Sequence, residues 1–176
     1  MIDKNKIFPY LDKLPCVDTS VFLAAGVKLV GDVMIGKQSS VWYNTVIRGD
    51  VNYVTIGERT NVQDLSMLHV TNQKFPLIIG DDVTIGHSVT LHGCVLMDKC
   101  FIGMGAIILD GAVVESNSMV AAGAVVKEGF VVPAGKLVAG VPAKIIRDLR
   151  KEEIKNISAS AVRYQKYAEL SRKSLK

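Results

Sequence analysis

An aliphatic side chain returns at every sixth position through most of this chain, and that spacing constrains the fold more than any other feature. A period of six matches neither the 3.6-residue period of an α-helix nor the simple alternation of an isolated strand. It fits a short strand followed by a tight corner, repeated many times. The series comprises Ile35, Val41 and Ile47; Ile56, Val62 and Leu68; Ile79, Ile85 and Leu91; and Ile102, Ile108, Val114, Val120, Val126, Val132 and Val138.

This pattern predicts a mainly β protein built as a parallel β-helix. Three strands would complete one triangular coil, and stacked coils would merge the aliphatic side chains into one buried column. Glycine directly follows several of the repeating residues, and small or β-branched residues stand four places after them, so we expect these positions to form the sharp corners. A valine-rich β-sandwich is the alternative, but sandwich strands do not keep one six-residue phase for so long.

The repeat is interrupted twice. Between Leu68 and Ile79 the spacing is eleven residues, which predicts a loop at residues 71–76. Between Ile47 and Ile56 it is nine residues, which predicts a second excursion around residues 52–53.

Beyond Pro142 the period changes. Apolar residues recur at steps of three and four, as in an amphipathic helix, at Ile154, Ile157, Ala161, Tyr164 and Ala168. We therefore predict an N-terminal cap and coil entry at residues 1–34, the β-helix at residues 35–147 and a C-terminal amphipathic helix at residues 148–176.

Composition indicates a globular protein, with 49% hydrophobic and 22% charged residues and no apolar run long enough to cross a bilayer. No export signal is evident, and three cysteines cannot all pair within one chain, so we expect a cytoplasmic protein with free thiols. The net charge of +4 comes largely from the basic C-terminal segment, which we interpret as a solvated helix face. Nucleic-acid binding would need a reading motif that the sequence lacks.

The repeat gives the three histidines of the chain definite places. His69 follows Leu68 and His92 follows Leu91, so both should lie on one face, one strand apart at a spacing of about 4.8 Å. His87 belongs to a different strand and should project from another face. In a homotrimer, one face of each chain packs against a different face of the next, which would bring His87 of one chain to His69 and His92 of another.

Three neutral imidazoles leave a fourth position for water, as in catalytic zinc sites. Zinc lowers the pKa of such a water to about 7 and so supplies hydroxide as a nucleophile. A hydrogen-bonded interface role is the alternative for each histidine taken alone. We expect a metal because all three histidines fall within two adjacent coils.

Several separated motifs in the sequence resemble those of the γ-class carbonic anhydrase family, from about residue 30 to residue 142. They are Arg48-Gly49-Asp50, Thr60-Asn61-Val62-Gln63-Asp64, Leu68-His69-Val70, Ile85-Gly86-His87, Leu91-His92-Gly93-Cys94 and Ile102-Gly103-Met104-Gly105-Ala106. The resemblance implies a left-handed parallel β-helix, a homotrimer, and zinc, iron or cobalt held by the three histidines. It also implies reversible hydration of carbon dioxide to bicarbonate.

The same resemblance assigns roles to other residues. Gln63 would hydrogen-bond the metal-bound hydroxide, and Asn61 would help to place carbon dioxide. Arg48, Asp50 and Asp64 match positions with polar contacts across the subunit boundary. From the residues alone, these positions could equally be ordinary corner residues, since Asn and Asp favour turns. The alternating set of Asn61, Gln63 and His69 nevertheless predicts a lined pocket.

The sequence also departs from the family pattern. Val51 follows Asp50 where the best characterised branch has a glutamate that shuttles protons, and the loop at residues 71–76 has no carboxylate. Turnover requires a proton to reach the solvent, so we expect slow hydration, with Tyr164 as a candidate replacement for the shuttle. Two other hypotheses remain: a non-catalytic metal-binding accessory or scaffold trimer, and an acyl-coenzyme A-dependent acyltransferase with hexapeptide repeats, which would use a single histidine as general base.

Overall fold

The computed structural model describes residues 5–175, which form a parallel β-helix followed by one long α-helix. The helix, α1, spans Lys151–Ser174. In chain order the strands are β1 Ile7–Phe8, β2 Cys16–Val17, β3 Phe22–Leu23, β4 Lys28–Ile35, β5 Ser40–Val41, β6 Val46–Ile56, β7 Asn61–Val62, β8 Met67–His69, β9 Leu77–Ile79, β10 Thr84–Ile85, β11 Thr90–His92, β12 Val95–Leu96, β13 Phe101–Ile102, β14 Ile107–Ile108, β15 Val113–Val114, β16 Met119–Val120, β17 Val125–Val126, β18 Val131–Val132, β19 Lys136–Ala139 and β20 Lys144–Asp148.

From β7 to β16 each strand pairs in parallel with the strand three steps along the chain, so the strands fall on three faces, and β20 pairs antiparallel with β19 at the end. Face one is an eight-stranded sheet that contains β3, β5, β7, β10, β13, β16, β19 and β20. Face two contains β8, β11, β14 and β17, and face three contains β9, β12, β15 and β18. The long strands β4 and β6 run from face two into face three and join these two faces into one twelve-stranded sheet.

The core consists of the aliphatic residues of the six-residue repeat. On face two, Leu68 pairs with Leu91, Leu91 with Ile108, and Ile108 with Val126, and all four side chains are fully buried. The other two faces carry equivalent columns, for example Val62, Ile85 and Ile102 on face one. The predicted repeat is therefore confirmed, because every sixth residue points into the same continuous core.

The corners differ from the expectation based on glycine. The residue in the left-handed conformation stands three places after the repeating aliphatic residue, for example Arg59 at φ 54°, Ser88 at φ 58° and Gly105 at φ 68°. The glycines directly after the aliphatic residue serve another purpose. A Cβ atom on Gly57 would lie 2.6 Å from the carbonyl carbon of Gly80, so glycine there permits close approach of successive coils.

Both interruptions of the repeat are found where predicted. Residues 71–76 leave the coil as a loop, which a bridge between Thr71 and Phe75 closes. The second excursion lies within β6: Gly31 of β4 pairs with Gly49, whereas Val33 pairs with Val54. Four residues of β6, 50–53, therefore stand opposite Asp32 alone, at the corner between faces two and three.

Helix α1 packs along face one of its own chain, against β3, β5, β7 and β10. The buried side of the helix carries Ile157, Ala161 and Ala168, as the three- and four-residue spacing predicts. The ring of Tyr164 meets that of Trp42 edge-on, with 5.5 Å between the ring centroids. This packing fixes the helix beside the segment that carries His87.

Cys16, Cys94 and Cys100 are free thiols. Within residues 5–175, no helix has both the length and the apolar character needed to cross a membrane. Residues 1–4 of the predicted N-terminal cap and residue 176 of the predicted C-terminal segment lie outside the described part of the chain.

Candidate metal centre

His69 and His92 stand side by side on face two. His69 ends β8 and His92 ends β11, and these strands pair in parallel with the two histidines in register. The Nδ1 atom of His69 lies 3.0 Å from the Nε2 atom of His92. The predicted stacking of these two side chains is confirmed, because each turn of the coil returns the chain to the same face one strand further along.

Each of the two rings turns its other nitrogen towards a carboxylate. The Nε2 atom of His69 lies 3.0 Å from Oδ1 of Asp50. The Nδ1 atom of His92 lies 2.6 Å from Oδ1 of Asp110. The four side chains therefore form a row across successive coils, with a carboxylate at each end and two imidazoles between them.

The chemistry of this row fits a cation at its centre. The row contains three close contacts, but two neutral imidazoles carry only two N–H protons. When both protons are donated to the carboxylates, the lone pairs of His69 Nδ1 and His92 Nε2 face each other. Zinc–nitrogen bonds of about 2.0–2.1 Å at a tetrahedral angle would place two ligand nitrogens about 3.3 Å apart. The observed 3.0 Å is close to that separation, so the pair suits two ligands of one metal ion.

The electrostatic surroundings of His69 favour a neutral imidazole beside ionised carboxylates. Burial lowers the pKa of His69, and this outweighs the opposing effect of its hydrogen bond to Asp50. Burial also acts to raise the pKa of Asp50, but hydrogen bonds from Arg48 and His69 bring it below its ordinary value. The pKa of Asp110 is lowered in the same way, because bonds from Thr71 and His92 outweigh burial. Metal ions bind the neutral form of histidine, so the lowered pKa of His69 suits a metal ligand.

Arg48 lies beside this row, and its recorded hydrogen bond goes to Asp50 and not to either histidine. Its Nη1 atom forms a short ion pair with Oδ2 of Asp50, while Oδ1 of the same carboxylate faces His69. The side chain of Asp50 is 11% exposed and that of Arg48 is 41% exposed. Arg48 therefore holds Asp50 from the solvent side and leaves its own guanidinium group accessible.

His87 lies on face one, two residues after β10, and does not meet the other two histidines within the chain. Its Nδ1 atom lies 2.7 Å from Oδ2 of Asp64, and its side chain is 44% exposed. The other oxygen of Asp64 accepts the backbone N–H of Tyr43 at 3.2 Å. Among residues 5–175 of a single chain, no three His, Cys, Asp or Glu side chains converge into a group that could hold a metal ion.

Asn61 and Gln63 accompany His87 and not His69, so the pocket expected from the alternating set does not form within one chain. β7 pairs with β10 on face one, and His69 lies beyond the corner at Leu65, on face two. The amide of Gln63 donates to Oδ1 of Asn61 at 3.1 Å. Asn61 in turn donates to Oγ1 of Thr84 at 3.0 Å, and both amides are buried. Proximity in sequence was misleading because the chain turns a corner between residues 63 and 69.

Tyr164 lies on α1 close to His87. Both line a cavity of about 400 Å³ that Asp64, Trp42 and Tyr167 also border. Burial raises the pKa of Tyr164, and the nearby Asp64 carboxylate raises it further. Helix α1 thus places the phenol of Tyr164 close to His87 on face one, but this phenol has a higher pKa than that of an ordinary tyrosine.

Neither Asp110 nor Thr71 was predicted from the sequence as a site residue. Asp110 stands two places after the repeating residue Ile108, in the coil that follows His92. Its Oδ2 atom accepts a hydrogen bond from the Thr71 hydroxyl at 2.5 Å. The available signal was the register itself: Leu91 pairs with Ile108, so His92-Gly93 and Leu109-Asp110, which follow these residues, must lie side by side.

Comparison with known proteins identifies repeats and relatives. Residues 93–128 match the family model described as bacterial transferase hexapeptide (six repeats), and residues 76–109 match the hexapeptide repeat of succinyl-transferase. Gamma carbonic anhydrase 1, mitochondrial, of Arabidopsis thaliana is 50% identical over 163 residues, which cover 90% of this chain and 59% of that protein. The chain thus spans less than two thirds of that relative.

Two other similarities extend over most of both partners. A carbonic anhydrase of Geobacillus kaustophilus is 48% identical over 151 residues, covering 86% of this chain and 82% of that protein. The crystal structure of a hexapeptide transferase family protein from Anaplasma phagocytophilum superposes with a TM-score of 0.92 at 42% identity, covering 95% of this chain and 98% of that one. By sequence and by fold, this chain belongs to the γ-carbonic anhydrase family of hexapeptide-repeat proteins.

Proposed function

We propose that this protein is a γ-class carbonic anhydrase-like metalloprotein that hydrates carbon dioxide reversibly at a metal shared between two subunits of a homotrimer. The observation that carries the proposal is the separation of 3.0 Å between His69 Nδ1 and His92 Nε2, with the outer nitrogen of each ring directed at a carboxylate. Such carboxylate–histidine pairs hold metal-ligating imidazoles in many metalloproteins.

The placement of the third histidine supports the proposed trimer. His87 projects from face one, carries its own carboxylate in Asp64 and is 44% exposed. A three-fold arrangement that packs face one of one chain against face two of the next brings His87 to the His69–His92 pair. Leu65 at the corner before β8 and Met67 at the start of β8 are exposed and would be covered by this contact. Arg48, Asp50 and Asp64 would then lie at the subunit boundary.

The metal we propose is zinc, with iron or cobalt as alternatives, because imidazole nitrogen binds all three. When bound, zinc would lower the pKa of a coordinated water to near neutral. The residues of the chain would supply the remainder of the site. Gln63 and Asn61 lie beside His87 as a linked pair of buried amides, so they would line the site from the neighbouring chain.

Proton release is the step for which the chain is poorly equipped. Val51 follows Asp50, and residues 71–76 contain no carboxylate, so no flexible acid reaches from these segments to the solvent. Tyr164 lines the cavity beside His87, but its raised pKa makes it a weak proton donor and acceptor at neutral pH. We therefore propose that hydration is slow and limited by proton transfer.

The test combines metal analysis with stopped-flow hydration of carbon dioxide at full metal occupancy. We expect one metal per subunit and measurable hydration in the wild type, with both lost in His92→Ala and His87→Ala. Asn72→Ala is the matched control, because Asn72 is exposed in the loop beside the site and contacts none of these groups. Wild-type protein that carries no metal when isolated or reconstituted would refute the proposal.

Two other functions give different results in the same assays. An accessory or scaffold trimer would bind metal without hydration, and the missing shuttle carboxylate favours it. An acyl-coenzyme A-dependent acyltransferase is favoured by the solved relative that is named a hexapeptide transferase family protein. It would turn over acetyl-coenzyme A in metal-free protein.

We place the protein in the cytoplasm on the basis of its free cysteines, although the Arabidopsis relatives are named mitochondrial.

A further inference from the structure

We infer that Asp110, held by Thr71, is a positioning residue that fixes the orientation and the tautomer of His92. The inference concerns a contact within one chain, and its link to metal affinity rests on the proposed function. Asp110 belongs to the coil after His92 and none of the family motifs described above contains it.

Both oxygens of the Asp110 carboxylate are engaged. Oδ1 lies 2.6 Å from Nδ1 of His92, and Oδ2 accepts the Thr71 hydroxyl at 2.5 Å. The carboxylate is 21% exposed, so water competes only weakly for these bonds. A carboxylate held at both oxygens cannot rotate away from the ring, so it presents a fixed acceptor to one imidazole nitrogen.

The backbone around Asp110 leaves room for this contact and holds it in place. A Cβ atom on Gly93 would lie 2.5 Å from Oδ1 of Asp110, so only glycine lets the carboxylate reach the ring of the adjacent His92. The N–H of Gly111 donates to the carbonyl of Gly93 at 2.7 Å, which locks the two coils together beside the contact. The Thr71 N–H donates to the Phe75 carbonyl at 2.9 Å and closes the loop that carries the Thr71 hydroxyl.

The chemical consequence concerns which nitrogen of His92 carries the proton. The acceptor at Nδ1 selects the tautomer with Nδ1–H, because the partner of one ring nitrogen sets the protonation of the other. The Nε2 lone pair is then free and points at His69, 3.0 Å away. Thr71 acts mainly through Asp110, because its hydroxyl donates to Oδ2 of Asp110 at 2.5 Å, whereas only a long contact of 3.4 Å joins its oxygen to His92 Nδ1.

The first test needs no metal and no activity. Metal-free protein labelled with ¹⁵N-histidine is examined by NMR at about pH 8, above the ordinary pKa of histidine. The chain has three histidines, and His92→Gln identifies the signals of His92. We expect the proton on Nδ1 in the wild type and its transfer wholly or partly to Nε2 in Asp110→Leu. A wild-type proton on Nε2, or no change in Asp110→Leu, would overturn the inference.

The second test measures zinc affinity by competition with a chelator. Removal of such a supporting contact typically weakens metal binding about 10–100-fold, which we expect for Asp110→Leu. Thr71→Val should weaken binding less, Thr71→Ser should match the wild type because it keeps the hydroxyl, and the double variant Thr71→Val/Asp110→Leu should bind no more weakly than Asp110→Leu. Unchanged affinity in Asp110→Leu, or additive losses in the double variant, would count against the inference.

The two tests separate the inference from the proposed function. Wild-type protein that binds no zinc would refute the proposed function, while the NMR measurement would still decide the role of Asp110. Subunit mass and the unfolding midpoint report whether each variant is folded. If Asp110→Leu does not fold, Thr71→Val and Thr71→Ser decide the question, and equal NMR spectra for these two variants would contradict the inference.

Discussion

The Oδ1 atom of Asp110 lies 2.5 Å from the position that a Cβ atom would take on Gly93, the residue after His92. The same Cβ atom would lie 2.7 Å from Cβ of Phe75. Gly93 also has a φ of 52°, in the region that glycine occupies without strain. Glycine is therefore required at this position for both conformational and steric reasons. The steric reason is the contact with Asp110, which belongs to the candidate metal centre.

Replacement of Gly93 should damage the site as well as the fold. In Gly93→Ala we expect a loss of stability greater than the roughly 1–2 kcal/mol of a left-handed backbone alone, because the new methyl group collides with Asp110 and Phe75. We also expect a lower zinc content, because the carboxylate must leave His92. Chemical denaturation and metal analysis measure the two effects.

Gly105→Ala is the matched control. Gly105 has a φ of 68°, but a Cβ atom there would meet no atom within 4 Å. Gly105→Ala should lose only the stability that the left-handed backbone costs, about 1–2 kcal/mol, and should retain its metal. Equal losses of stability and metal in the two variants would show that the contact with Asp110 is unimportant.

The buried column on face two should dominate stability. Leu91 is fully buried between Leu68 and Ile108, so Leu91→Ala should lower the free energy of unfolding by about 2–5 kcal/mol. Leu175→Ala removes the same atoms from a side chain that is 67% exposed, so it should change the free energy of unfolding by less than about 0.5 kcal/mol. Both are compared at one protein concentration, since assembly adds to apparent stability. Similar values for the two variants would contradict the described core.

The three cysteines should react at very different rates. Burial raises the pKa of Cys94 to about 12, and burial likewise raises the pKa of Cys100 to about 12. Cys16 is exposed. Because the thiolate is the reactive form, a thiol reagent at neutral pH should modify Cys16 rapidly and the other two only after unfolding. Rapid labelling of more than one thiol per folded chain would disagree with this burial.

The start of α1 should be sensitive to acid. Hydrogen bonds from Arg147 and Arg150 hold the pKa of Glu153 far below its ordinary value, and its carboxylate also accepts the backbone N–H of Arg150 at 2.8 Å. A lowered pKa in the folded state means that the stabilisation is present above the ordinary pKa of glutamate, about 4.3, and is lost as the pH falls below it.

Glu153→Gln should therefore be less stable than the wild type at neutral pH, and the difference should shrink below about pH 4. Glu152→Gln is the control, since Glu152 lies in the same helical turn without the contacts to Arg147. Unfolding curves across the pH range test this. A difference that stays constant into acid would contradict the assigned contacts.

Much of the fold was predictable because one physical requirement repeats along the chain. Each coil needs an inward aliphatic group at the same place, so the positions of Leu68, Leu91 and Ile108 fix the register of face two. The neighbouring positions of His69 and His92 follow from that register and needed no further information.

The rest depends on details that the repeat does not encode. The corner between residues 63 and 69 places Asn61 and Gln63 on a different face from His69, although they are close in sequence. Asp110 is separated from His92 by 18 residues and looks like a turn residue until the coils are stacked. In the proposed site, the third ligand position would depend on a second chain, which the sequence indicates only through the face on which His87 lies.

The most direct test of the shared metal site is complementation between defective subunits. One variant is His87→Ala, and the other is the double variant His69→Ala/His92→Ala. Neither homotrimer has an intact site. In a mixed trimer with cyclic symmetry, one of the three interfaces joins an intact His69–His92 pair to an intact His87.

Co-expression in equal amounts, followed by purification and zinc analysis, measures this restoration. Random assembly makes about three quarters of the trimers mixed, so we predict about one quarter of the wild-type zinc content, with both parent homotrimers near zero. Zinc in the co-expressed protein at the level of the parents, or full zinc in either parent, would contradict a metal site shared between chains.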